Sequence, residues 1–298
     1  VANKPRFSVV LPQIIKELKS FNIPVFDERA LNDVFERNKD KWRLPLRMNI
    51  KDFINSLIKE NFLSYILFEF NGLPKRSLFY VGEVSVYEIS AAIFPKSYLS
   101  HYSAISLWGL SEQIPKTIYI TQEQSNSPVK SKPVTLEQEN IDKAFGKPQR
   151  ESETFDTFQD YKLIFLCGKH TKDLGVENFS KDGINPVKVT DIERTLIDIA
   201  VRPAYSGGVL EVLKAFRLAK EQGNVSVNKL SGYLNRMNFI YPYHQAIGFY
   251  LEAAGNYSFS QIDIFRNKTR DFNFYLAYEM QDMAYSEQWK LYYPKGLI

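Results

Sequence analysis

The sequence predicts an α+β protein in two parts: a small basic N-terminal domain over residues 1–84 and a larger mixed α/β domain over residues 85–298. Three observations predict it. Residues 8–60 repeat apolar positions at helical spacing, whereas β-rich runs begin at Phe62 and return at 116–121 and 161–167. The formal charge of +4 lies entirely in residues 1–84, which hold 14 Lys and Arg against 10 Asp and Glu; the remainder is balanced. A chain of 298 residues is about two domains long, and 22 Phe with 18 Tyr can fill a sizeable interior.

In chain order, SVVLPQIIKELKSF places Val10, Ile14, Ile15, Leu18 and Phe21 on one helical face. A second helix starts at Asp27, an N-cap, and carries Ala30, Leu31, Val34 and Phe35. The basic connector NKDKWRLPLR, with Arg43 and Arg47, leads to a third helix capped by Asn49. Ile50, Phe53, Ile54, Leu57 and Ile58 form its apolar side; Lys51, Asp52, Asn55, Ser56 and Lys59 form the other. FLSYILFEF and SLFYVGEV then read as a hairpin around NGLPKR, with Lys75 and Arg76 near the tip.

Three short helices before a basic-tipped hairpin is the order of a winged helix-turn-helix. In that fold the third helix enters the major groove and the wing lies along the backbone. Asn55 suits an adenine edge and Lys51 or Lys59 a guanine or phosphate; Lys75, Arg76, Arg43 and Arg47 suit phosphates. The same residues also fit the solvated face of an amphipathic helix, and winged helices also serve as protein-interaction modules.

Beyond Val84, VYEISAAIF and YLSHYSAISLWGL read as helices and KTIYIT as a strand. Residues 123–135 read as a loop, LEQENIDKAFG as a helix, FDTFQDYKLIFLCG as strand and residues 171–188 as a second loop. VTDIERTLIDIAVRPAYSGG is expected to be one short helix. Thr190 and Glu193 have capping-box spacing, and Asp191, Arg194, Asp198 and Arg202 share a face with i,i+4 pairs. Helices follow in GGVLEVLKAFRLAKEQG, VSVNKLSGYLNRM and HQAIGFYLEAAG, with WKLYYP a candidate strand.

Cys167, the only cysteine, is expected to be a small core residue within a buried strand, which leaves no disulfide framework or cysteine-rich zinc site. His101, His170 and His244 lack ligand spacing and read as structural, and no Gly-rich phosphate loop or metal motif is present. No cofactor or metal is expected. A cytoplasmic protein is expected too, since no secretory leader and no apolar run of membrane length is visible.

YLSHYSAISLWGLSEQIPKTIYIT (98–121), LIFLCGKHTKDLGV (163–176) and VTDIERTLIDIAVRPAYSGGVLEVLKAF (189–216) together resemble the AbiEi-type antitoxins of type IV toxin–antitoxin, or abortive-infection, systems. The resemblance covers roughly residues 8–216; the tail after 224 matches no motif. It implies a repressor-antitoxin without enzymatic activity, whose winged helix binds inverted repeats in the double-stranded DNA of its own promoter. The second domain would counter a nucleotidyltransferase-like toxin, with direct contact left open, and Glu193, Arg194, Asp198, Arg202 and Tyr205 would mark it, as structure or as a binding surface. The competing reading is a metal-dependent nuclease or nucleotide-processing enzyme with a winged-helix targeting domain. It needs a carboxylate cluster drawn from Asp191, Glu193, Asp198, Asp271 and Glu287, or an acidic pattern of Asp271 or Asp282 with Glu287 and Lys290.

Overall fold

The computed structural model describes residues 6–22, 24–125, 135–181 and 183–298; most of the expected loop at 123–135 lies outside them. The protein is a mixed α+β structure. Its first part runs α1 (Arg6–Lys19), β1 (Val25–Phe26), α2 (Glu28–Asn38), α3 (Ile50–Lys59), β2 (Ser64–Phe68) and β3 (Arg76–Tyr80). The three strands form an antiparallel sheet in the order β1-β3-β2. The second and third helices start where their chemistry dictates: Asp27 accepts from the Ala30 amide, and Asn49 and Asp52 exchange bonds in a capping box. The connector between α2 and α3 is pinned by Trp42, buried and stacked on Phe53, and by buried Leu44.

β3 is buried on both faces, and this organises the molecule. Phe79 and Val81 face the α1–α3 interior with Leu31, Phe53 and Leu57. Leu78, one residue before Phe79, faces the opposite way and packs with Phe68, Phe70 and residues from 86–189. The hairpin tip also turns toward the second part: the Glu69 amide donates to Asp156 Oδ2 at 2.5 Å and Asn71 Nδ2 to the Glu153 carbonyl at 3.2 Å.

That second part continues α4 (Val86–Ile93), β4 (Tyr98–Leu99), α5 (His101–Leu107), β5 (Thr117–Glu123), α6 (Gln138–Phe145), β6 (Phe155–Phe158), β7 (Tyr161–Gly168), β8 (Val176–Lys181) and β9 (Ile184–Thr190). There follow α7 (Ile192–Val201), a 3-10 turn at Pro203–Ser206, α8 (Val209–Glu221), α9 (Val227–Met237), α10 (Tyr243–Ala254), α11 (Phe259–Arg266), β10 (Phe274–Tyr275), β11 (Met283–Ser286) and β12 (Leu291–Pro294). Six strands form one sheet, β6-β7-β5-β4-β9-β8, in which β5 pairs parallel with β7 and β4 with β9. The last three strands form a small sheet, β10-β12-β11.

Three expectations are corrected here. Residues 171–188 are not a loop, because they contribute the hairpin β8–β9; only Phe179 and Val187 of its paired middle turn inward, and Pro186 sits within a register shift, so the alternation is masked. The run from Tyr98 is a short strand before α5, broken where His101 takes a φ of 52°. Cys167 lies in β7 but is exposed rather than in the core.

Candidate functional site

On the N-terminal part, the capping box that starts α3 aims its polar side outward. Lys51, Asn55 and Lys59 are exposed on that side, and the Ser56 hydroxyl donates back to the Asp52 carbonyl at 2.7 Å. Arg47 is exposed just before the helix, and Arg43 is exposed in the connector. Lys51, Lys59 and Arg47 form no ion pair among the described residues. A cleft of about 300 Å³ beside α3 is lined by Lys51, Ile54, Asn55, Ile58, Tyr65, Phe79 and Glu28. The two hairpin cations are placed differently from one another. Lys75 is paired with Glu69, and Arg76 is half-buried with its guanidinium over the Phe94 ring. Register explains it: Arg76 stands opposite Phe68, on the inward face of the sheet.

On the second part, α7 does not present a solvated ladder. Asp191, Glu193, Arg194 and Asp198 are all buried. The cap is Asp191, whose carboxylate accepts from the Arg194 amide at 2.8 Å; Thr190 instead bonds Thr195, and Glu193 accepts from the Ser226 amide. The Thr190–Glu193 capping box is thus corrected: with two cap-forming residues adjacent, Asp191 takes the position and frees Glu193 to bind α9. Lys229 completes that junction, 3.1 Å from Asp191 and 2.9 Å from Glu193. Burial opposes its charge, but the bond to Glu193 and the charge of Asp191 outweigh it and hold its pKa above the ordinary lysine value.

Arg194 spends its guanidinium inside the protein. It donates to Asp198 at 2.8 Å, to Thr171 and to the Leu174 carbonyl, with Tyr98 near 3.4 Å. Gly175 lets the chain pass over it, since a Cβ there would lie 2.7 Å from Arg194 Cβ. Arg202 lies past the helix end, donates to the Arg150 carbonyl and sits over the Tyr205 ring. No ion pair joins it to Asp198, so that expected i,i+4 pair is corrected as well.

These groups surround a cavity of about 400 Å³ between α7, β5, β7 and the 150–152 segment. Its lining includes His101, Thr121, Arg150, Cys167, Lys169, Asp198, Arg202, Tyr205 and Phe239. Asp198, 8% exposed, gives one carboxylate oxygen to Arg194; its Oδ2 has no hydrogen-bond partner among the described residues. A buried polar atom left so costs about 1–3 kcal/mol, more when charged. His101 keeps a left-handed backbone, and its Nδ1 lies 2.8 Å from the Ser100 hydroxyl, which reaches Thr121 at 2.6 Å. Burial pushes its pKa down to about 4 against the pull of Asp198, so the ring is neutral at pH 7. Sequence reading named Arg194, Asp198, Arg202 and Tyr205 but not the cavity, whose remaining walls come from distant elements. The strained backbone at His101 has no sequence signature.

The carboxylates of the competing enzyme reading do not form one cluster. Asp191 and Glu193 share Lys229, Asp198 pairs with Arg194, and Asp271 and Glu287 lie exposed in the tail. Among the described residues no three His, Cys, Asp or Glu are grouped to hold a metal ion, and no helix is long and apolar enough to cross a membrane.

No protein-family model matches the chain, and no curated protein matches it. Among solved structures it is similar to the crystal structure of the RV2827C protein from Mycobacterium tuberculosis, with a TM-score of 0.56 at 11% identity. The match covers 96% of this chain and 90% of that one. At that identity the likeness is one of fold, extending over both parts of the chain.

Proposed function

We propose that the protein is a DNA-binding autoregulator and antitoxin of the AbiEi type, with residues 1–84 as a winged helix-turn-helix and residues 85–298 as the domain that counters a nucleotidyltransferase-like toxin. One observation carries the DNA-binding half. The order helix, strand, two helices, two strands, with the sheet arranged β1-β3-β2, supports a winged-helix reading, and the third helix turns Lys51, Lys59 and Asn55 to solvent. The inward turn of Arg76 shifts the backbone contacts away from the wing and toward Arg43 and Arg47 in the connector. The antitoxin half rests on the motif resemblance.

The test is gel retardation on the promoter fragment upstream of the protein's own gene. Replacing Lys51, Asn55 and Lys59 together by alanine should weaken specific binding by roughly two orders of magnitude or more, since each base contact is worth about 1–3 kcal/mol. Circular dichroism should stay unchanged, because all three side chains are exposed. Parent affinity should fall steeply with salt, as phosphate contacts release counterions. A triple variant that footprints the operator like the parent would sink the groove assignment. For the antitoxin half, co-expression with a neighbouring nucleotidyltransferase-like gene should restore growth, and failure to do so would refute it.

A further inference from the structure

We propose that the cavity between α7 and the β5–β7 strands is a binding site for a small phosphomonoester that also carries a hydrogen-bond donor, such as a sugar phosphate or nucleoside monophosphate. The proposal is independent of the DNA-binding reading.

Cations gather at the cavity, and they are of two kinds. Arg194 is consumed by four internal partners, whereas Arg202 makes one bond, to a backbone carbonyl, and Arg150 is exposed. Lys169 donates to the Met237 and Asn238 carbonyls without any carboxylate partner among the described residues, and burial pulls its pKa below the ordinary lysine value. Against these three stands Glu151 alone at the rim, because the charge of Asp198 is cancelled by Arg194. The surplus suits a dianion better than a single carboxylate, and guanidinium groups match phosphate geometry.

The floor asks for something else. Asp198 is more than nine-tenths buried, and its second oxygen is left without a donor in a protein that satisfies most of its interior polar groups. The neutral His101 supplies no charge to it. A hydroxyl or amino group pressed onto the floor would meet this oxygen after a small rotation of the carboxylate. A volume of about 400 Å³ accommodates a ligand of that size.

Cys167 gives the measurement. It is the only cysteine of the chain, it is exposed, and it lines the cavity, so its reaction with a thiol reagent reports occupancy directly. On the full-length protein, ribose 5-phosphate or adenosine monophosphate should slow that reaction roughly tenfold at ten times its dissociation constant, because only the free fraction reacts. The same probes should raise the melting temperature. Arg202→Gln, half-exposed and outside any ion pair, should fold normally and lose the protection. Asp198→Asn should lose the preference for ribose 5-phosphate over inorganic phosphate; Arg202→Gln keeps the test decisive if that variant does not fold. No protection by either phosphoester at millimolar concentration overturns the proposal, as does equal protection in Arg202→Gln. Protection by inorganic phosphate as strong as by ribose 5-phosphate refutes the donor contact, and protection by glutamate alone refutes the phosphate.

Discussion

Arg194 and Asp198 form a buried ion pair in the second part of the chain. Each is buried, and each justifies the other: remove the guanidinium and a carboxylate remains in the interior with neither oxygen satisfied. Arg194→Met should therefore cost about 3–5 kcal/mol in urea unfolding, and adding Asp198→Leu should recover much of it, since an apolar pair often replaces a buried ion pair without loss. His101, which faces Asp198, Arg194 and Arg202, carries a second prediction. Its folded pKa of about 4 lies below the unfolded value of 6.5, so the unfolded chain binds the extra proton first. The contribution is complete above pH 6.5 and is lost as pH falls through the window to 4, amounting to about 3 kcal/mol. His101→Asn tolerates the left-handed backbone and removes the proton site. Its stability should fall less steeply than the parent's across that window, and parallel slopes would show that the ring is solvated.

Helix starts are the elements most legible in the chain. Asp27 and Asn49 cap where their side chains and the following apolar spacing require, and α3 shows which face is dry. Asn49→Ala removes one half of a reciprocal bond pair and should cost about 1 kcal/mol, read from the denaturation midpoint. Cap chemistry misleads only where two candidates adjoin, as at Thr190 and Asp191; the choice falls to Asp191 because Tyr233 and Lys229, from α9, converge on its other oxygen. Strands are harder to read. β8 shows one buried residue in six, and β7 buries Leu163 and Ile164 in succession, so neither keeps a period of two. The same loss of period hid the exposure of Cys167. After 224 the helices α9 and α10 and the strand β12 were legible, but their packing was not: Trp289 seats against Gly248, where an added Cβ would lie 2.1 Å from its ring, and no local pattern announces such a contact. The cavity was illegible for the same cause, since His101, Arg150, Cys167 and Asp198 meet only through the sheet order.

At the scale of the molecule, the boundary at residue 84 separates charge more cleanly than it separates packing. Residues 1–84 hold the charge excess and their own interior, yet β3 serves as a wall of two cores at once. Phe94, the C-cap of α4, lies 5.0 Å from the Phe70 ring and 4.5 Å from Phe165, and Arg76 covers its face. A free domain joined by a linker would open on its own, whereas this shared wall makes loss of either core expose the other. Hydrogen exchange separates the two cases, because each amide reports the smallest opening that frees it. Under rising sub-denaturing urea, amides of α3 and α8 should converge on the same opening free energy in the parent. Phe94→Ala deletes the ring at the centre of the wall, a change worth about 3–5 kcal/mol where such a ring is well packed. In that variant α3 should exchange through a separate, lower-energy opening while α8 keeps most of its protection. Independent opening of α3 already in the parent would mean that the wall transmits nothing, and that the polar face of α3 moves freely of the part behind it.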